Sequence, residues 1–155
     1  MIGYVFALLI GVVAGLRTMM APAVLSWAIH FGWLDMTGTW AALLGASAVP
    51  YVLSALAIME LVTDQLPTTP SRTVPMQFGA RVISGALCGG VLGMSAGSPA
   101  LGVLLGAGGA VIGTVGGHGL RMRLTRANGG NDRPVALAED ALALAGALLC
   151  VTAVS

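Results

Sequence analysis

The chain has 155 residues, of which 57% are hydrophobic and only 8% are Asp, Glu, Lys or Arg, against roughly 25% charged in a typical soluble domain. So few charges cannot coat a globular surface, and a formal net charge of +1 without a single lysine excludes the broad basic face that a nucleic-acid backbone requires. These numbers point to one transmembrane domain over 1–155, an all-α polytopic helix bundle whose main partner is the lipid bilayer. A crossing takes about 20 apolar residues, which leaves room for about five spans.

Five apolar stretches follow one another at about 2–31, 40–66, 78–97, 100–123 and 134–154, separated by segments rich in Gly, Pro, Asp, Asn and Arg. The first opens apolar from Tyr4 to Val13 and carries Ala21-Pro22-Ala23, which invites comparison with a signal peptide. It has no basic start, and Arg17 interrupts the region preceding a cleavage site, so it reads as a mature helix. It is too long for one straight crossing. At Gly15, Arg17, Thr18 and Pro22 a glycine, a charge, a potential N-cap and a proline coincide, so a break or kink is expected near Arg17.

Arg17 is the deepest charge by this reading, and intramembrane charges cost roughly 2.5–3.5 kcal/mol each at a helix centre on insertion scales. A helix restarting after Thr18 would aim its backbone N–H groups at the same place and so favour an anion there. A structural ion pair with Glu60 or Asp64, four apart on one face of the second stretch, explains Arg17 equally well, and the two readings are compatible. After Asp64 the connection carries Pro67, Pro70 and Pro75 around Arg72, which forbids a regular helix and suits either a fixed polar lining or a stiff turn.

The third and fourth stretches bring Arg81 and Arg121. Glu139 and Asp140 are read as opening the last helix, where the helix dipole favours acids. Two adjacent carboxylates facing lipid would be costly, so at least one is expected to meet Arg81 or Arg121 inside the bundle, and a neighbouring acid in a low dielectric would make one a potential proton carrier. The candidate ligand- or ion-binding set is therefore Arg17, Thr18, Glu60, Asp64, Arg72, Arg81, Arg121, Glu139 and Asp140.

Glycines recur at a spacing of four, which places them on one helix face. Gly85, Gly89, Gly93 and Gly97 form one series, Gly109, Gly113 and Gly117 a second, and Gly3, Ala7, Gly11 and Gly15 a third. Such glycine-zipper faces let helix backbones approach closely in lipid, within the chain or in a homo-oligomer. A weak echo links Ala7 to Arg17 with Ala110 to Arg121; with five spans these helices run in opposite directions, and a repeat would be inverted. Arginine beside the spans sets orientation: Arg72 and Arg81, and Arg121, Arg123, Arg126 and Arg133, face the cytoplasm, with the amino terminus inside and the carboxyl terminus outside.

No catalytic set, cofactor motif or metal set is present. His30 and His118 are isolated, Cys88 and Cys150 lie in apolar stretches as packing residues, and the Gly-rich runs lie within apolar helix and not after a strand. An enzyme is not expected.

Ala14-Gly15-Leu16-Arg17-Thr18 with Ala21-Pro22-Ala23, Glu60-Leu61-Val62-Thr63-Asp64 with Leu66-Pro67 and Thr69-Pro70-Ser71-Arg72-Thr73, Ala80-Arg81 with Ser84-Gly85-Ala86, and Pro134-Val135-Ala136-Leu137 with Glu139-Asp140 together resemble the bacterial membrane proteins grouped as domain of unknown function 4126. The resemblance runs through nearly the whole chain. It implies a bacterial cytoplasmic-membrane protein and supports the choice of motif residues, but supplies no substrate. The leading expectation is a transporter or channel for an ion or small anionic solute. The alternatives are a membrane scaffold docking through its glycine faces, and a protein that binds anionic lipid head groups through Arg17, Arg72 and Arg81.

Overall fold

The computed structural model describes residues 1–66 and 74–155. Among these residues the chain is all-helical, with α1 (Ile2–Leu16), α2 (Met20–His30), a 3-10 helix (Trp40–Gly45), α3 (Val49–Thr63), α4 (Pro75–Ser95), α5 (Pro99–Ala127) and α6 (Arg133–Thr152). Arg72 and the prolines Pro67 and Pro70 lie outside the described residues.

Three helices, α4, α5 and α6, are long and apolar enough to cross a membrane, fewer than the five spans expected. The difference has two local causes. At Arg17 the backbone turns extended (φ −138°, ψ 113°) and splits the first stretch into helices of 15 and 11 residues. The second stretch begins as a 3-10 helix, leaving 15 residues for α3, about 22 Å at 1.5 Å per residue against a hydrocarbon core of about 30 Å.

Contacts fix the directions of the helices. Tyr4 Oη donates to Ala96 O at 3.0 Å, while Arg81 donates to the carbonyls of Gly15 and Leu16 at the other end of α1, so α1 and α4 are antiparallel. Gly11 faces Gly106 and Gly15 faces Ala110 and Gly113, so α1 and α5 are parallel. The echo between α1 and α5 therefore joins helices pointing the same way, which corrects the expected inverted relation.

The break at Arg17 reverses the chain. Leu16 is reached by Arg81, but Thr18 O accepts from Ser84 Oγ at 2.6 Å, one turn back along α4 towards Ala96. Leu144 likewise lines a cleft with Met20, Val24 and Trp27, one turn along α6 from Asp140, the partner of Arg17. Thus α2 re-enters the bundle alongside α6. Because Gly146 of α6 lies against Val13, α6 is antiparallel to α1, and both termini lie at the end opposite Arg17. A single straight crossing by the first stretch, as expected, would instead have put them at opposite ends of the bundle.

The body of the bundle is α1, α4 and α5, joined backbone to backbone. A Cβ added at Gly11, Gly15, Gly85, Gly89, Gly93, Gly102, Gly106, Gly109 or Gly113 would stand 2.1–2.7 Å from an atom of the facing helix. Only hydrogen fits there, and the close approach gives the dispersion contact that holds helices together in lipid. Two expected packing positions differ. Gly97 sits at φ +93° in the turn after α4 with nothing near it, and Gly117 meets a side chain, Leu16 Cδ2, instead of backbone.

Candidate functional site

The polar residues of the chain converge on the α1–α2 break. α1 ends there because Arg17 leaves the helical region, and the reversal exposes two sets of backbone groups that a helix leaves unpaired: carbonyls at the end of α1 and N–H groups at the start of α2. Arg81 Nη1 donates to Gly15 O at 3.0 Å and Leu16 O at 2.8 Å, and Thr114 Oγ1 adds a bond to Gly15 O at 3.3 Å. On the other side the Glu60 carboxylate accepts from Thr18 N and Met19 N, each at 2.8 Å. A cation thus meets the negative end of α1 and an anion the positive end of α2. Glu60 Oε1 also lies 3.6 Å from Arg81 Nη2, which ties the two caps together.

Beside these caps runs a chain of charges. Arg17, fully buried, donates from Nη1 to Asp64 Oδ2 and from Nε to Asp140 Oδ1 at 2.5 Å, with Nη2 against the same oxygen. Asp64 Oδ2 accepts in addition from Arg121 Nη1 at 3.2 Å. That nitrogen reaches Glu139 Oε2 at 3.4 Å. Arg121 completes its fork on Asp132, from Nε to Oδ1 at 2.9 Å and from Nη2 to Oδ2 at 2.5 Å, the bidentate geometry that makes Arg–carboxylate pairs strong. Arg81 is 1% exposed, so two of the three guanidiniums are shut away from solvent.

Of the sequence candidates, Arg17, Glu60, Asp64, Arg81, Arg121, Glu139 and Asp140 are brought into one cluster, with Thr18 contributing its backbone. Arg72 lies outside the described residues. Glu139 does meet Arg121, but Glu139 and Asp140 occupy the second turn of α6, which starts at Arg133, so the first-turn dipole does not place them. The direct partners of Arg17 are Asp64 and Asp140, while Glu60 holds the start of α2.

Three members escaped the sequence reading. Ser84 is one turn from Arg81 on the same face, a spacing that would have found it. Thr114 lies within apolar α5 and gave no signal. Asp132 reads as a loop residue; it reaches Arg121 because Gly129 (φ +65°) and Gly130 (φ +86°) let the chain turn tightly between α5 and α6. Among the described residues no group of three or more His, Cys, Asp or Glu is placed to hold a metal ion.

Two clefts border the cluster. One of about 300 Å³ is lined by Thr18, Met19, Glu60, Asp64, Met76 and Gln77 among others and opens onto the carboxylates. The other, about 270 Å³ and apolar, lies between α2, α3 and α6 beside Ala57, Ile58 and Leu61. The arrangement can exchange partners: an anion can take the place of Glu60 or Asp64, and a cation or proton can take the place of an arginine on a carboxylate.

Fold and site together define a helical membrane-type protein with a buried charge cluster at a re-entrant helix break. The chain belongs to the family described as domain of unknown function DUF4126, which matches residues 5–153. Comparison with curated proteins and with solved structures finds no match.

Proposed function

We propose that this protein is a small membrane transporter or channel for an ion or small anionic solute, working through the charge cluster at the α1–α2 break. One observation carries the reading. Five of the six acidic residues of a chain with only 8% charged residues gather with three arginines at one helix break. Charges cost so much in an apolar chain that such concentration usually marks a solute or proton path. Broken helices whose ends face charged groups are the arrangement by which transporters hold solutes, and the cleft onto Glu60 and Asp64 supplies an approach. In a bacterial cytoplasmic membrane, arginine bias assigns the end carrying Arg123, Arg126 and Arg133 to the cytoplasm, with both termini outside.

The test is electrogenic current from proteoliposomes on a solid-supported membrane, scanned across protons, sodium, potassium and small anions. Wild-type current that falls at least about tenfold in folded Arg17→Lys, a change worth about 1.4 kcal/mol, supports the reading; silence of folded wild-type protein across the panel ends it.

A second reading, a membrane scaffold, is favoured by one specific fact: the charges of the cluster are already paired within the chain. A scaffold would dock through its outer faces, since the glycine faces are occupied by neighbouring helices. Silent proteoliposomes with a self-associating or partner-bound protein would favour it. Binding of lipid head groups loses support because Arg17 and Arg81 are enclosed.

A further inference from the structure

We infer that α3 is the moving part of the site, latched to the bundle by Glu60 and Asp64, and that releasing the latch opens a path to Arg17. As a gating step this rests on the transport reading; as a motion it stands by itself.

The packing of α3 carries the inference. Only Pro50 and Ala57 of its 15 residues are buried, and it packs on α2 and the 3-10 helix, away from the glycine-joined body. Beneath it lies the apolar cleft of about 270 Å³ bounded by Met20, Val24, Ala57, Leu61 and Leu144. The cleft opens to the outside of the bundle, so α3 meets its neighbours along a narrow edge and has few dispersion contacts to fix it.

What holds α3 at this end is polar. Glu60 accepts the two N–H groups of α2 and lies near Arg81, and Asp64 bridges Arg17 and Arg121. At the other end, near its start, Trp27 Nε1 donates to Ser54 Oγ at 2.9 Å and the Tyr51 ring stands edge-on to Trp27. The far end is therefore a pivot and the carboxylate end a clasp. Any species that exchanges for a latch partner weakens the clasp. The polar cleft beside Thr18, Glu60 and Asp64 then widens towards Arg17, which is otherwise inaccessible.

Thiol accessibility tests this in proteoliposomes, with or without measurable flux. Thr18 lines the polar cleft, and its side chain makes none of the latch bonds. The Thr18→Cys variant therefore reports opening to a membrane-impermeant maleimide, while native Cys88, buried within α4, reports loosening of the body. Adding Asp64→Asn, or separately Glu60→Gln, raises the labelling rate at position 18 about tenfold, as for an open state moving from about 1% to about 10% of molecules. Cys88 stays unlabelled. Adding Ala57→Phe, which fills the apolar cleft, slows labelling at position 18. Unchanged rates at position 18 in both latch variants, or acceleration shared by Cys88, overturn the inference. Opening without current under any gradient would instead leave the motion intact and remove the transport reading.

Discussion

The two halves of the bundle are held together by opposite means. In the body, α1 and α4 each meet α5 through hydrogen atoms on glycines, with Gly11 on Gly106 and Gly89 on Gly102, so that backbone lies directly against backbone at these points. In the arm, α3 meets α2 across an open apolar cleft and is tied to the body by carboxylates and guanidiniums, while α2 itself is packed into the core through Met20, Ala21, Leu25 and Ala28. Glycine contact is short-ranged and cannot be exchanged for anything else. Ion pairing tolerates a shift of an ångström and can be traded for another ion. The transport proposed above would draw on both, a body that keeps its shape and an arm whose ionic partners can be exchanged.

Substitutions separate the halves, and the largest effect is expected in the body. Gly106→Leu would drive a side chain into the backbone of α4, since a Cβ there already stands 2.1 Å from Gly85 O. We expect loss of folding, above the roughly 4–5 kcal/mol that marks exceptional mutations, seen as absence of a monodisperse species in detergent. Next comes Arg17→Ala, which leaves Asp64 and Asp140 without their shared cation. Breaking a buried pair from one side costs roughly 3–5 kcal/mol, measurable by denaturant unfolding in mixed micelles, and Arg17→Ala with Asp64→Asn should recover part of it. Glu60→Gln keeps one acceptor for the N–H groups of Thr18 and Met19, and should cost about 1.5–3 kcal/mol, the range for hydrogen bonds to charged groups. The smallest effect is Gly108→Ala, on α5 with nothing within 4 Å: a gain of up to about 1 kcal/mol from helix propensity, read in the same assay. A Gly108→Ala loss as large as that of Glu60→Gln would erase the distinction between inward and outward glycines.

Helix type and the charged residues were legible because both are written in local pattern. Glycine every fourth residue announces a face, and a charge in an apolar stretch announces a partner without saying which. The pairing was not legible. Arg17 had Glu60 and Asp64 as equal candidates, and only the reversal of α2 puts N–H groups before Glu60 and leaves Asp64 to the guanidinium. The reversal itself turns on the backbone angles of Arg17, which no periodicity records, and it shortens the first helix and brings both termini to one end of the bundle. Asp132 was missed because its reach to Arg121 depends on two glycines at positive φ.

Segment-resolved hydrogen exchange in lipid nanodiscs distinguishes a rigid glycine-joined body carrying a carboxylate-latched arm from a uniformly rigid bundle. Wild-type amides in α1, α4 and α5 should exchange far more slowly than those in α3 and the first turn of α2, and Asp64→Asn should speed only the latter. Equal protection of α3 and α5, or faster exchange throughout the bundle in Asp64→Asn, would contradict the account.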